Sequence, residues 1–174
     1  MENEGKSLRF RGECFQKLQR HLLGNPHGSE EAAFLFADWM PDAQTGAVKK
    51  CRYLEDKEFE YQSRYGLELA EGVLDDVIKQ AHDLEMSLVE VHSHPFHSEG
   101  GAEFSSSDWT GFQEVVAHIL WRLPNRPYFA LVFAPDGFDG LVWLNSDDDP
   151  ESLSSILLKN DEKLAADQSR QGRG

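Results

Sequence analysis

Apolar residues in this chain follow two different periodicities in direct succession, and this constrains the fold more than any other feature. Between residues 70 and 81 they recur at every third or fourth position, which predicts an amphipathic helix over residues 69–84. The next segment, residues 87–95, is rich in β-forming residues and ends at Pro95, which lacks the N–H that a strand ladder needs. A helix followed at once by a strand is typical of an α/β protein.

The same two periodicities recur along the rest of the chain. Helical spacing predicts three further helices, over residues 11–23, from Ser105–Asp108 onward, and from Asp149-Pro150 to residue 164. Short apolar runs predict strands, at residues 32–37, within 46–62, and at 128–133 and 141–144, the last two joined as a hairpin. No linker or repeat interrupts this order, so we expect one α/β domain over residues 1–165 and a frayed tail over residues 166–174.

Charge and composition narrow the partners and the compartment. The chain carries 17 Lys and Arg against 31 Asp and Glu, a net charge of −14, which repels phosphate backbones and anionic lipid headgroups. Nucleic acid and membranes are therefore not expected as partners. The charged amino terminus and the absence of a long apolar window predict neither a signal peptide nor a membrane span. The two cysteines, Cys14 and Cys51, form no metal-binding or disulfide pattern, which favours a reducing compartment, the cytoplasm.

Two histidines at the end of the central predicted strand are candidates for a metal site. His92 and His94 are two residues apart, so on a strand their side chains project from the same face and their ring nitrogens can converge on one ion. Asp108, on the opening turn of the next predicted helix, can complete a set of two imidazoles and one carboxylate. Three ligands of this kind leave a fourth position for water, as catalytic zinc sites require.

These residues resemble a known motif. Glu31, then His92-Ser93-His94-Pro95, then Ser105 and Asp108 three residues later, resemble the JAMM motif of JAB/MPN metallopeptidases. The order of predicted elements is also similar to that fold, which implies a mixed β-sheet flanked by helices. Thirteen residues, numbers 95–107, separate His94 from Asp108, more than the motif usually has. We therefore expect the loop over residues 96–104 to reshape the substrate groove.

The resemblance implies a role for each residue of the motif. His92, His94 and Asp108 would bind Zn²⁺, Glu31 would handle the proton of the attacking water, and Ser105 would stabilise the tetrahedral oxyanion. Each role has a physical reason. Water activated by zinc still needs a positioned base, and a hydroxyl donor that acts only on the transition state is typically worth about 10²–10³ in kcat.

Two neighbouring carboxylates remain open alternatives. Glu30 competes with Glu31 as the base, and Glu31 is preferred because it directly precedes the apolar run in the register of the motif. Glu90 lies on the same strand face as His92 and can orient an imidazole, or can be a carboxylate farther along the strand without a role at the metal.

The resemblance also implies an activity. We expect a zinc-dependent peptidase or isopeptidase that cleaves the bond after the C-terminal tail of a ubiquitin-like protein, in deconjugation or precursor processing. Such an enzyme would be functionally linked to E1-like activating and E2-like conjugating enzymes. The alternatives are a JAB hydrolase that processes a sulfur-carrier protein or a small aminoacyl adduct, and a non-catalytic MPN scaffold.

Overall fold

The computed structural model describes residues 5–97, 101–159 and 162–167. The helices within these ranges are α1 (Cys14–Leu23), α2 (Val73–Leu84) and α3 (Ser106–Arg122). The first six strands are β1 (Ser7–Arg9), β2 (Ala32–Met40), β3 (Thr45–Tyr53), β4 (Phe59–Ser63), β5 (Gly66–Leu69) and β6 (Ser87–Ser93). The later strands are β7 (Tyr128–Ala134), β8 (Gly137–Trp143), β9 (Glu151–Ser152), β10 (Ser155–Leu157) and β11 (Lys163–Ala165). The expected α/β class is confirmed.

Nine strands form one mixed sheet in the order β11-β10-β1-β3-β2-β6-β7-β8-β9, and β4 pairs with β5 in a separate hairpin. Strand β6 lies at the centre, antiparallel to β2 and parallel to β7. Strands β9 and β10 lie near opposite ends of this order, yet only Leu153 and Ser154 separate them. Leu153 donates its N–H to Gly140 of β8, and Ser154 donates to Lys6 beside β1. The sheet therefore curls until its two ends meet at this dipeptide.

Helices cover both faces of the sheet because alternate residues of each buried strand point to opposite sides. On β2, Ala32 and Phe34 pack in one apolar cluster with α2 and α3. Ala33 and Leu35 pack in the other cluster, with α1. A strand covered on both faces reads as a continuous apolar run, as β2 does. No helix in the described ranges is both long enough and apolar enough to cross a lipid bilayer.

The structure corrects three expectations about element boundaries. The helix predicted from residue 69 begins at Val73, because residues 66–69 form β5. The helix predicted from Asp149-Pro150 is wrong, because this segment forms β9, β10 and β11. Leu153 and Ile156 are both buried, but serines separate them and the backbone of β10 pairs with β1, so their spacing only mimics a helical stripe.

The frayed tail predicted from residue 166 is also wrong for its first two residues. Ala166 donates its N–H to Ser154, and Asp167 donates to Phe138. The Asp167 carboxylate accepts the N–H of Ala102 at 2.8 Å, so it ties the chain end to the segment that precedes α3. Residues 168–174 lie outside the described residues.

Candidate metal centre

Strand β6 delivers both histidines to the α3 side of the sheet. His92 pairs with Ala32 of β2, and His94 continues the line of β6 because its N–H donates to Phe133 of β7. Both side chains are buried, and their Nε2 atoms lie 3.3 Å apart. Phe96 stacks on the His94 ring, with ring planes 6° apart. The two imidazoles thus have restricted orientations and aim their nitrogens at one point.

Asp108 reaches the same point from the first turn of α3. Ser105 is the N-cap of this helix, where its hydroxyl accepts the N–H of Asp108 at 3.1 Å, and its own N–H donates to Asp108 Oδ2 at 2.8 Å. The same Oδ2 atom lies 3.1 Å from His92 Nε2 and 3.4 Å from His94 Nε2. The reciprocal cap therefore holds the Asp108 carboxylate against both imidazoles.

The charges in this cluster depend on one another. Burial alone would raise the pKa of Asp108, but hydrogen bonds and charge from His92 and His94 outweigh burial and hold that pKa far below its usual range. Burial would lower the pKa of His92, but the neighbouring Asp108 carboxylate outweighs this and raises it. A proton on His92 balances the Asp108 carboxylate, and a bound metal ion would take the place of that proton.

Glu30 is the second carboxylate at the histidines. Its Oε1 atom lies 3.8 Å from His94 Nε2, and Glu30, His92 and His94 each offer a ligand atom within 4.8 Å of the others. The hairpin β4–β5 holds the Glu30 backbone, because its N–H donates to Ser63 and its carbonyl accepts from Gln62. Burial raises the pKa of the Glu30 carboxyl to about 7, although the nearby imidazoles oppose this shift.

Glu31, which the motif register favoured as the base, does not join this cluster. It is adjacent to Glu30, so its side chain points to the α1 face of the sheet. There its Oε1 atom accepts a hydrogen bond from Asn25 Nδ2 at 2.7 Å, in a polar pocket of about 510 Å³ that also contains Arg20 and His21. Burial raises the pKa of Glu31, and the bond from Asn25 opposes this shift. The structure therefore places Glu30, the alternative left open in the sequence, beside the histidines, and it places Glu31 away from them.

Ser93 holds the start of β2 against the end of β6. Its hydroxyl accepts the N–H of Glu31 at 2.9 Å, and its own N–H donates to the carbonyl of Glu31 at 3.0 Å. Ser93 is completely buried, on the face opposite the two histidines. Through this pair of bonds the residue between the histidines determines where Glu30 lies.

The donor geometry fits a tetrahedral zinc ion. Ligands placed tetrahedrally about 2.0–2.1 Å from zinc lie about 3.3–3.4 Å from one another. The triangle formed by His92 Nε2, His94 Nε2 and Asp108 Oδ2 has edges of 3.3, 3.1 and 3.4 Å. Glu30 is farther away, at 3.8 Å from one imidazole nitrogen, so Asp108 fits better than Glu30 as the third ligand. Nitrogen and oxygen donors without a thiolate also suit a catalytic rather than a closed structural site.

No model of a known protein family matches this chain, and no curated protein is similar to it in sequence. Among solved structures, the chain is similar to the solution structure of protein DSY2949 from Desulfitobacterium hafniense. The TM-score is 0.46 and the sequence identity 14%, over 87% of this chain and 92% of that chain. This likeness assigns neither a family nor a function.

A cleft of about 630 Å³ lies beside the cluster, between α3 and the β4–β5 hairpin. One end is polar, with Glu30, His92, Ser105 and Asp108 in its lining. The rest of the lining combines apolar side chains, including Leu67, Leu69, Leu74, Phe112 and Val115, with the carboxylates of Glu68, Glu90 and Glu114. The cleft can therefore hold an extended chain with one polar group at the histidines.

The loop before α3 packs against the histidines and the first turns of α3, and none of its described residues lines the cleft. Phe104 is buried and packs against the ring of His92, with centroids 6.0 Å apart, and against Phe112 of α3. Residues 98–100 of the loop lie outside the described residues. The described part of the longer loop thus supports the imidazole and the first turn of the helix.

Glu90, the other open alternative, lines the same cleft. It lies two residues before His92 on β6. Burial raises the pKa of its carboxyl, and the nearby Tyr128 hydroxyl opposes this shift. No hydrogen bond to the His92 ring is present among the described contacts. The Glu90 carboxylate nevertheless acts on His92 through its charge, which helps to raise the pKa of that imidazole.

Sequence analysis gave Ser93 no structural role and preferred Glu31 to Glu30, whereas the structure places Glu30 beside the histidines. Strand alternation contains the missing signal, because Glu30 shares a face with Ala32, and Ala32 pairs with His92. That signal becomes usable only when the pairing of β2 with β6 is known.

Proposed function

We propose that this protein is a zinc-dependent hydrolase of the JAB/MPN type that cleaves an amide or isopeptide bond after the C-terminal tail of a ubiquitin-like protein. The observation that carries the proposal is the triangle of His92, His94 and Asp108, which has the edge lengths of a tetrahedral zinc site. A buried carboxylate and an exposed hydroxyl border the same cleft, as hydrolysis of an acyl bond requires.

In this proposal His92, His94 and Asp108 hold the zinc ion. When bound, zinc supplies Lewis-acid activation of water and of the scissile carbonyl near neutral pH. The reciprocal cap between Ser105 and Asp108 fixes the carboxylate relative to the first turn of α3. The aromatic rings of Phe96 and Phe104 keep the two imidazoles in their orientations.

Glu30 is the proposed proton carrier. Its carboxylate is buried beside the histidines, and its backbone is held by the hairpin, so an oxygen atom is positioned to accept a proton from the attacking water. The same oxygen then returns the proton to the nitrogen of the leaving amine. General acid and base catalysis of this kind contributes about 10²–10⁴ in rate.

Ser105 is the proposed oxyanion donor. Its oxygen accepts the N–H of Asp108, which leaves the hydroxyl hydrogen free to donate elsewhere. The residue is exposed and lines the polar end of the cleft. A donor there would stabilise the negative charge that develops on the carbonyl oxygen in the transition state.

Two adjacent glutamates provide a matched test. Glu30→Gln should retain zinc and lower kcat by about 10²–10⁴, because only the proton carrier is lost. Glu31→Gln should cleave at the wild-type rate, because its side chain lies on the other face of the sheet. The assay is cleavage of a ubiquitin-like fusion with a lysine-linked or peptide-linked group after its terminal glycine, with zinc measured by elemental analysis.

The proposal has distinct ways to fail. Absence of stoichiometric zinc, or equal zinc content in a His92→Ala/His94→Ala double variant, would refute the metal site. Loss of cleavage in Glu31→Gln but not in Glu30→Gln would refute the proton carrier. Zinc retention without cleavage of either fusion would refute the substrate and leave a different acyl bond to be sought.

Ser105 needs a control for its helix cap. Ser105→Ala should lower kcat by about 10²–10³ with little change in KM. Ser106→Ala, at the next position of α3, should change neither constant, and Ser105→Thr should recover most of the rate because it keeps the hydroxyl and the cap. A wild-type kcat in Ser105→Ala would remove the oxyanion role.

A further inference from the structure

The two cysteines face each other across the α1 side of the sheet. Cys14 is the first residue of α1, and Cys51 lies on β3, where it pairs with Leu35 of β2. Their Sγ atoms are 2.8 Å apart, although 37 positions separate them in the sequence. Both residues are half-buried and carry free thiols. The fold has thus brought together two cysteines whose spacing in the sequence predicts neither a metal site nor a disulfide.

This distance is shorter than two sulfur atoms keep when they are only packed against each other. A disulfide needs the sulfurs at about 2.05 Å. Small rotations of the two side chains can close the difference, because each thiol already points at the other. Helix α1 and strand β3 therefore hold the pair close to a bonded arrangement.

The two thiols have different surroundings. Contact with the Cys51 thiol lowers the pKa of Cys14 to about 7, burial opposes this shift, and the charge of Lys17 adds to it. The position of Cys14 at the N-terminus of α1 also favours a thiolate. The neighbouring Cys14 and burial raise the pKa of Cys51. The position of Cys14 at the start of α1 therefore favours Cys14 as the attacking thiol and Cys51 as the resolving thiol.

We propose that Cys14 and Cys51 form a reversible disulfide, and that this pair is an oxidation site on the face of the sheet opposite the candidate metal centre. The proposal rests on the juxtaposition of the two sulfurs and does not depend on the proposed hydrolase activity. The oxidant it requires is a hydroperoxide.

The reaction balances in two steps. The Cys14 thiolate attacks one oxygen of the hydroperoxide, the O–O bond breaks, and the other oxygen leaves as an alcohol or water after it gains a proton. Cys14 is then a sulfenic acid. The sulfur of Cys51 attacks the sulfur of Cys14, and the hydroxyl group leaves as water with the proton of Cys51. Two thiols are oxidised, and one hydroperoxide is reduced.

The crosslink would join α1 to β3 and enclose all of β2 within the loop. The far end of α1 already touches the start of β2, because His21 bonds the carbonyl of Ala32 and Asn25 bonds Glu31. A covalent bond at the near end would then fasten both ends of α1 to the sheet. The oxidised protein should consequently unfold at a higher temperature than the reduced protein.

The test uses the full chain, purified under reducing conditions and then treated with one equivalent of hydrogen peroxide. We expect both free thiols to disappear, the intact mass to fall by two hydrogen atoms, and the Tm to rise by several degrees. Dithiothreitol should reverse all three changes. Limited alkylation of the reduced wild type, followed by peptide mapping, should label Cys14 before Cys51.

Two variants make the result specific. Cys51→Ser should stop at a dimedone-reactive sulfenic acid on Cys14, and Cys14→Ser should react with peroxide far more slowly. Neither variant is needed for the wild-type measurements, so poor folding of a variant would not obscure the outcome. Thiols that survive the peroxide, sulfinic acids on separate cysteines, or only intermolecular disulfides would each overturn the proposal.

Discussion

Ser93 should stabilise the protein through one buried hydrogen bond at the candidate metal centre. Its hydroxyl accepts the N–H of Glu31 at 2.9 Å, and Ser93 is 0% exposed while Glu31 is 8% exposed. In Ser93→Ala, water cannot readily replace the lost acceptor. A buried N–H without a partner costs about 1–3 kcal/mol, so we expect the free energy of unfolding to fall by that amount.

Ser87 is a matched control on the same strand. It is 1% exposed, and its Oγ atom has no hydrogen-bond partner among the described residues. Ser87→Ala removes a buried hydroxyl that gains nothing from its surroundings, so we expect stability to stay constant or to rise slightly. Both variants remove one oxygen atom from β6, so their difference isolates the hydrogen bond to Glu31.

Urea unfolding, followed by circular dichroism in the presence of a chelator, measures both variants. Equal m-values would show that the folded and unfolded states expose similar surface in each protein. Zinc titration should then show weaker binding only in Ser93→Ala, because the hydrogen bond positions the start of β2 beside the histidines. Equal destabilisation by the two substitutions, or none by either, would refute this reasoning.

The remaining predictions concern the metal and one ion pair. Zinc should raise the Tm of the wild type, and a chelator should reverse the rise, because a ligand at 100 times its Kd stabilises the folded protein by about 2.7 kcal/mol. Thermal unfolding should show the same shift in His118→Ala, where the changed side chain is exposed. His92→Ala should show no shift. Burial would raise the pKa of Glu58, but its hydrogen bond and charge interaction with Arg52, at 2.7 Å, outweigh burial and lower it. A carboxyl whose pKa is lower in the folded than in the unfolded protein stabilises the fold above the unfolded-state pKa, and this stabilisation is lost as the pH falls through the folded-state pKa. In urea unfolding, Arg52→Met should therefore lower the free energy of unfolding by about 1 kcal/mol at pH 7, and it should have little effect below pH 4. Lys57→Met removes only the exposed ion pair with Glu55, so it should change the free energy of unfolding very little at either pH. A loss of stability in Arg52→Met that does not depend on pH would contradict the role of the Arg52–Glu58 pair.

Local patterns in the sequence were sufficient to predict the helix and the strand that carry the candidate metal ligands. The apolar stripe lies in α2 from Val73 to residue 81, and the β-forming run that follows is β6, which carries His92 and is followed directly by His94. The third predicted helix was expected to begin within Ser105–Asp108, and Ser105 is the N-cap of α3. These features depend on side chains a few residues apart, whose relative positions are determined by the helix or strand itself.

Local patterns also misled where they described only spacing. Leu153 and Ile156 lie at helical spacing, but their segment lies where the two ends of the curled sheet meet, and its backbone bonds to β8 and β1. Hydrogen bonds to β8 and to the distant amino-terminal strand β1 replaced the helical ones. Helix propensity is a weak preference, and such long-range pairing overrides it.

By itself, the sequence determined that two imidazoles and the Asp108 carboxylate would lie at the ends of neighbouring elements. Only the tertiary structure decided which glutamate joins them. Strand alternation places Glu30 and Glu31 on opposite faces of the sheet, but it does not show which of these faces carries the histidines. The pairing of Ala32 with His92 settles that choice. The contact of Cys14 with Cys51 was likewise hidden in the sequence, since it depends on where α1 packs against β3. In each case the deciding contact joins elements far apart in the chain, and only folding determines their register and packing.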